Sequence, residues 1–227
     1  MHETYDKQKQ FTLTPKDFFE KLDFLNWYRY FAIVKELSRL APKTILEIGP
    51  GEGTVRRVYA PYAERYAVAD VNPRLSPDFT GDVRTRFKEA EGAFDAVIAA
   101  DILEHIPFAD VQDALCNIKS YLQEDGYALI TIPHQAWFVF YMSWITYAHH
   151  ILRAPDFVRT LFQQMRGRKI NSIDRDHEWE IGDGKHSASD VERVMRNAGF
   201  EIEKREKLLY VDFWVLKSKP PATNASA

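Results

Sequence analysis

Lys43-Thr-Ile-Leu-Glu-Ile-Gly-Pro-Gly-Glu-Gly-Thr54 decides how this chain is read. Thr44-Ile-Leu-Glu-Ile48 is short and mostly apolar, the length of a strand buried on both faces. Gly49, Gly51 and Gly53 follow at once, and Val55-Arg-Arg-Val-Tyr-Ala60 then reads as the start of a helix. Strand, glycine turn and helix in that order make a mononucleotide-binding corner. Glycine lets the backbone take a positive φ there and lets a ligand lie directly against it. The spacing is G-x-G-x-G, led by the acidic Glu47. A dinucleotide fingerprint needs G-x-G-x-x-G, and Thr54 stands where its last glycine should be. No Lys-[Ser/Thr] pair follows, so the turn is not a P-loop.

Working outward, Arg65-Tyr-Ala-Val-Ala69 is a second strand ending in Asp70. In a right-handed βαβ unit the ends of the two strands lie side by side, and a carboxylate there can accept both hydroxyls of a ribose. Asn72-Pro-Arg-Leu-Ser-Pro77 is turn-rich, so the connection to the next strand is short or irregular. Ala93-Phe-Asp-Ala-Val-Ile-Ala-Ala100 is a further buried strand, and Tyr127-Ala-Leu-Ile-Thr-Ile132 another, closed by Pro133-His134. Between them Phe108 to Glu124 reads as an amphipathic helix with Val111, Leu115, Ile118 and Leu122 on one stripe, stopped by Asp125-Gly126.

Glu47-Ile-Gly-Pro-Gly-Glu-Gly53 resembles motif I of the class I S-adenosylmethionine-dependent methyltransferases. Phe79-Thr-Gly-Asp82 is similar to that family's Gly-Asp element, and Asp101-Ile-Leu-Glu-His-Ile-Pro107 resembles the "LEH" segment of its small-molecule members. The resemblance runs from Glu47 to His134 in the family's order. It implies a Rossmann-like, doubly wound α/β fold, with a seven-stranded sheet whose last strand is antiparallel. It implies S-adenosylmethionine as cofactor and S-adenosylhomocysteine as product. The cofactor residues it points to are Glu47, Gly49, Pro50, Gly51, Gly53, Asp70, Val71, Asn72, Asp82, Val83, Asp101 and Ile102. Asp82 and Val83 would meet adenine.

The rest of the chain fits around this half. With 227 residues, 45% of them hydrophobic and 28% charged, one α/β domain with an elaboration is expected and global disorder is not. A net charge of −3 without a long basic block argues against a dedicated nucleic-acid binder. The lone Cys116 excludes a disulfide framework and reads as a small buried residue; a polar N-terminus without a signal peptide points to the cytoplasm.

The chain divides into a helical extension (1–42), the cofactor half (43–134), an aromatic insertion read as helical (135–186), a closing part (187–217) and a tail (218–227). Thr14-Pro15-Lys16-Asp17 starts the first helix and Pro42 ends it. The insertion, with Trp137, Phe138, Phe140, Tyr141, Trp144 and Tyr147, then basic Arg166 to Lys169, reads first as a lid or acceptor pocket, second as a dimer helix, and third as weak membrane contact. Ser187 and Asp190 start the last helix as a capping box, with Val191, Val194, Met195 and Ala198 inward; strands follow at Phe200–Glu206 and Leu208–Leu216.

The chemistry expected is in-line methyl transfer to an oxygen or nitrogen of a small, partly apolar acceptor. Orientation and exclusion of water carry most of it, and a histidine base suits an oxygen acceptor. His105, His134, His177 and His186 are the candidates. His177 and His186 have acidic neighbours but no standard ligand motif, so no metal is expected. Monomer and homodimer both remain open. Rival readings are a nicotinamide-dependent oxidoreductase, disfavoured by Thr54, and a non-catalytic partner protein, disfavoured by the intact Glu47, glycines and Asp70.

Overall fold

The structure, a computed structural model, describes residues 24–135, 138–142, 149–153 and 176–219. The expected helix start at Thr14, the aromatics Trp137, Trp144 and Tyr147, the Arg166 to Lys169 cluster and most of the tail lie outside them.

Helix α1 (Phe24–Leu40) leads into β1 (Thr44–Ile48). Pro42 cannot continue a helix, and Ala41 caps it with a positive φ of 48° while its N–H meets the Leu37 carbonyl at 2.8 Å. After the glycine turn come α2 (Thr54–Tyr59), β2 (Arg65–Asp70), β3 (Phe79–Thr80) and β4 (Phe94–Ala100). The connection from β2 to β3 holds only a 3-10 turn at Pro73–Leu75, as its proline-rich sequence dictates. Helix α3 (Val111–Tyr121) and β5 (Leu122–Pro133) complete this half. Strands β6 (Phe138–Met142) and β7 (His149–Arg153) follow. The closing part is α4 (Ala188–Asn197), β8 (Phe200–Lys207) and β9 (Val211–Ser218).

One seven-stranded sheet runs β3-β2-β1-β4-β5-β9-β8. β1 pairs parallel with β2 and β4, β2 with β3, and β4 with β5; β9 runs antiparallel to both β5 and β8. Side chains alternate across it. Ile45, Ala96, Ile98 and Phe213 pack with Ile33 and Leu37 of α1 and Val55 and Tyr59 of α2. Leu46, Ile48, Val97 and Trp214 face the other way, onto Leu115 and Ile118 of α3 and Val191 and Met195 of α4. Each fully buried Leu or Ile in these rows contributes ~1.5–3 kcal/mol. The strand order reverses at β1, so the crevice of a doubly wound sheet opens between the carboxyl ends of β1 and β4.

Several expectations need correction. The aromatic insertion is not helical where it is described: β6 pairs antiparallel with β7. Phe-Val-Phe-Tyr-Met is rich in the aromatic and branched residues that favour strands, and pairing satisfies the backbone. Helix α3 is shorter than Phe108–Glu124 at both ends, and Asp125-Gly126 lies within β5 rather than ending a helix. The pairing of β4 with β5 jumps register between Phe94 and Ala96, and Asp125 absorbs the irregularity with a φ of 64°. Cys116 is exposed, not buried. Residues 176–186, read as part of the insertion, enter the core instead, with Trp179 and Ile181 packed in it. Ser218, assigned to the tail, ends β9.

Candidate active site

At the end of β1 the backbone turns sharply, with Gly49 at φ 61° and Gly51 at φ 52°. A Cβ on Gly49 would sit 2.2 Å from Ile102 Cδ1, so the turn is wedged against the segment after β4. A Cβ on Gly51 would meet nothing within 4 Å: it would point into open space. That space is a cleft of about 410 Å³, lined on one side by Glu47, Gly49, Pro50 and Gly51 and on the other by Ala100, Asp101 and Ile102. Asp70 and Val71 close one end with Asp82, Val83 and Arg84, while Arg29 and Tyr30 of α1 overhang it. The volume is that of a ligand pocket. Of the residues expected to hold the cofactor, Gly53 and Asn72 do not line it, but Asn72 donates its N–H to Asp70 Oδ1 at 2.7 Å and so orients that carboxylate.

The carboxylates differ in state. Glu47 is buried and pushed up to about 7 by desolvation, against the pull of the Tyr66 hydroxyl, which donates to its Oε2 at 2.8 Å. Burial also raises Asp70, although two backbone N–H groups, of Asn72 and Val71, favour its charged form. Burial acts to raise Asp82 too, but Arg84 wins and holds it below the usual range. Arg84 grips both oxygens, Nε to Oδ1 at 3.0 Å and a terminal nitrogen to Oδ2 at 2.7 Å. A carboxylate has about four acceptor sites, so Asp82 keeps capacity for a further amine.

Asp101 sits at the hinge of the site. Its φ of 54° is unusual for a residue with a side chain, and several contacts over-determine it. It forms an ion pair with Arg29 and accepts the Thr131 hydroxyl at 2.5 Å, while its own N–H meets the Thr131 carbonyl at 3.0 Å. Asp101 also lines a second cleft of about 390 Å³, shared with Leu25, Asn26, Pro133, His134, His177, Glu180 and Tyr210. The first helix therefore contributes to both clefts, Arg29 and Tyr30 to the first and Leu25 and Asn26 to the second.

The four candidate histidines part company here. His177 and His134 line the second cleft and His105 the first. The His105 and His177 rings meet edge to face with centroids 4.9 Å apart. His134 is buried, its Nδ1 3.6 Å from Asp212. His186 lines neither cleft: it packs 4.4 Å from the Phe108 ring, and its Nδ1 lies 2.8 Å from Asp183. Sequence reasoning missed Arg29, Asn26, Glu180 and Tyr210. It also missed Glu104, which is fully buried and pushed up to about 8 by desolvation, against its own backbone N–H and the Arg29 charge. An acidic residue inside the "LEH" segment was the one available signal.

The comparisons with known proteins agree with this geometry. A family model described as a methyltransferase domain matches residues 20–205. No curated relative matches the chain by sequence. Among solved structures, the N-methyltransferase NodS from Bradyrhizobium japonicum, in complex with S-adenosyl-L-homocysteine, superposes with a TM-score of 0.63 at 15% identity, covering 96% of this chain and 99% of that one. The 1,6-didemethyltoxoflavin-N1-methyltransferase of Burkholderia thailandensis gives a TM-score of 0.55 at 13% identity, over 91% of this chain and 83% of its own. An S-adenosylmethionine-dependent methyltransferase of Clostridium acetobutylicum gives 0.56 at 12%, over 90% and 96%. At such identities the likeness is one of fold. The family match, spanning most of the chain and the whole glycine corner, goes further: the chain belongs to the methyltransferase domain family of S-adenosylmethionine-dependent enzymes.

Proposed function

We propose that the protein transfers the methyl group of S-adenosylmethionine to an oxygen or nitrogen of a small, partly apolar molecule held in the second cleft. The observation that carries this reading is the meeting of two clefts at Asp101, one under the glycine turn and one lined by histidines and a tyrosine. Bound at the first cleft, the cofactor supplies an activated methyl on a sulfonium. Asp70 would accept the ribose hydroxyls, Asp82 and Val83 would meet the adenine edge, and the backbone at Gly49 to Gly51 would lie along the amino-acid end. The open space above Gly51 fits such a ligand, because no side chain fills it.

The chain's own residues then orient and exclude. Arg29, paired with Asp101, and Tyr30, whose hydroxyl donates to Glu52 at 3.1 Å, cover the first cleft from α1. Tyr210, donating to Asn26 Oδ1 at 2.9 Å, stands across the second. His177 is the residue best placed to take a proton from an acceptor, since its Nδ1 is 2.8 Å from Glu180 and its ring lines the acceptor side. His186 is set aside as a base. The decisive experiment is calorimetry with S-adenosylhomocysteine and with NAD, followed by methyl transfer from labelled cofactor to candidate phenols, alcohols and amines. Tight S-adenosylhomocysteine binding without NAD binding is expected; the reverse contradicts the reading.

A further inference from the structure

Glu104 presents an unanswered problem. It is fully buried, yet neither carboxylate oxygen has a hydrogen-bond partner in another residue. A buried acidic group in that state is costly and asks for an ion or water. Its neighbours supply the rest of a site. One ligand atom each from Glu104, His105 and His177 lies within 4.8 Å of the other two.

The histidines are set in the right tautomer. His105 Nδ1 lies 2.8 Å from the Asp176 carbonyl, which can only accept, so Nδ1 carries the proton. His177 Nδ1 lies 2.8 Å from the Glu180 carboxylate, and the same argument holds. With Nδ1 carrying that proton, Nε2 is the ligand atom in each ring. This is the arrangement in which metal-bound histidines donate their other nitrogen to a carboxylate or a backbone carbonyl. The two segments are also fastened together. Glu178 donates its N–H to the Glu104 carbonyl at 2.8 Å, and Trp179 Nε1 reaches the Leu103 and Ile106 carbonyls at 3.2 and 3.1 Å. His177 is thereby held over Glu104 by contacts that do not involve its own ring.

We propose that Glu104, His105 and His177 bind one divalent transition-metal ion of the zinc class where the two clefts meet, and that this ion holds the hydroxyl of the acceptor. Two imidazoles and a carboxylate suit zinc, ferrous iron or manganese better than calcium or magnesium. Three protein ligands leave a position for a substrate oxygen, as in catalytic zinc sites. Ligand atoms on tetrahedral zinc stand roughly 3.3 Å apart, so binding draws the three side chains inward. His105 lines the first cleft and His177 the second, so the open position faces the junction.

The metal site stands by itself; its role in catalysis rests on the methyl-transfer reading above. In that role His177 serves as a ligand and not as the base, and the ion lowers the pKa of the coordinated hydroxyl, whose proton leaves to solvent. The oxygen lone pair forms a bond to the methyl carbon, the carbon–sulfur bond breaks, and its electron pair stays on sulfur as a neutral thioether. The acceptor is thereby narrowed to an alcohol or phenol.

The test is a calorimetric titration of zinc sulfate into EDTA-treated, dialysed full-length protein without cofactor, repeated with cobalt chloride and read by its visible absorption. One ion per chain is expected, with a cobalt spectrum of nitrogen and oxygen ligands. Glu104→Gln, nearly the same shape, and His177→Gln should weaken binding more than ~100-fold, and Glu180→Gln, acting through His177, by ~10–100-fold. Cys116→Ser, on the exposed side of α3, should change nothing. Failure of the parent protein to bind one ion overturns the site, as does binding that Glu104→Gln and His177→Gln leave unaltered. S-adenosylhomocysteine titrations on the same samples separate this from the functional reading: cofactor binding without metal binding sinks only the metal site. Metal binding with turnover of a hydroxyl acceptor unaffected by EDTA removes its catalytic role.

Discussion

In the first cleft the lining comes mainly from the ends of adjacent parallel strands: Glu47 to Gly51 after β1, Asp70 after β2, Asp101 and Ile102 after β4. In the second, Leu25 and Asn26, Pro133 and His134, His177 and Glu180, and Tyr210 come from four distant parts of the chain. On the proposed function, the first would recognise its ligand largely through backbone shape and single carboxylates at fixed places in a topology. The second would do so through side chains that only tertiary packing brings together. A site of the first kind is written in short local motifs, each at the end of a strand; a site of the second kind is not.

The largest way to break the comparison is to free the loop that carries His177. Trp179 is almost fully buried and ties that loop to the turn after β4. Trp179→Ala should cost ~3–5 kcal/mol of stability, as truncation of a buried aromatic does, and lower the melting temperature by roughly 10 °C. Where the variant remains folded, S-adenosylhomocysteine affinity should barely move. Thermal denaturation with and without that ligand checks both.

The next effect belongs to the first cleft. Gly51→Val puts a branched side chain into the open space and onto a φ of 52°, at a folding cost of ~1–2 kcal/mol. Cofactor affinity should fall roughly a hundredfold or more, about 3 kcal/mol. Calorimetry showing near-parental affinity would mean that the ligand does not lie over Gly51.

Glu47 offers a pH-dependent test of the same corner. Its folded pKa, about 7, lies above the ordinary 4.5, so the folded cofactor-free protein holds a proton that the unfolded chain releases. Stability is therefore lost as pH rises through that window and levels off above it. Glu47→Gln keeps the volume and can still accept from Tyr66. The variant should match its parent near pH 4.5 and exceed it by ~3 kcal/mol above pH 7.5, because each pH unit separating the folded and unfolded pKa values is worth about 1.36 kcal/mol. Urea denaturation across this range would refute the assignment if the gap stayed constant.

The same contrast explains what the sequence could and could not tell. The run from Thr44 to Thr54, the strand ending in Asp70 and the strand before Asp101 each carry local signals, because strand period and turn chemistry are local. The helix expected in the insertion failed for the opposite reason: Phe138 to Met142 pairs with His149 to Arg153, and such pairing lies outside any window that reads periodicity. The residues 176–186 failed likewise, since glycines suggested only a loop while Trp179 enters the core through contacts more than seventy positions away. His105 and His177 were named singly as bases. Their meeting with Glu104 depends on the loop lying over the "LEH" turn, which no spacing rule encodes.

On the function proposed above, the two clefts are energetically separate, one for cofactor and one for acceptor. S-adenosylhomocysteine calorimetry in metal-free buffer on Asp70→Ala and His177→Gln tests this most directly. Asp70→Ala should lose ~1–3 kcal/mol, roughly 5- to 150-fold in affinity, with the hydrogen bonds to the ribose. His177→Gln should stay within about twofold of the parent while losing methyl transfer, a change below ~0.5 kcal/mol. Equal losses in the two variants, or an unchanged affinity in Asp70→Ala, would contradict it.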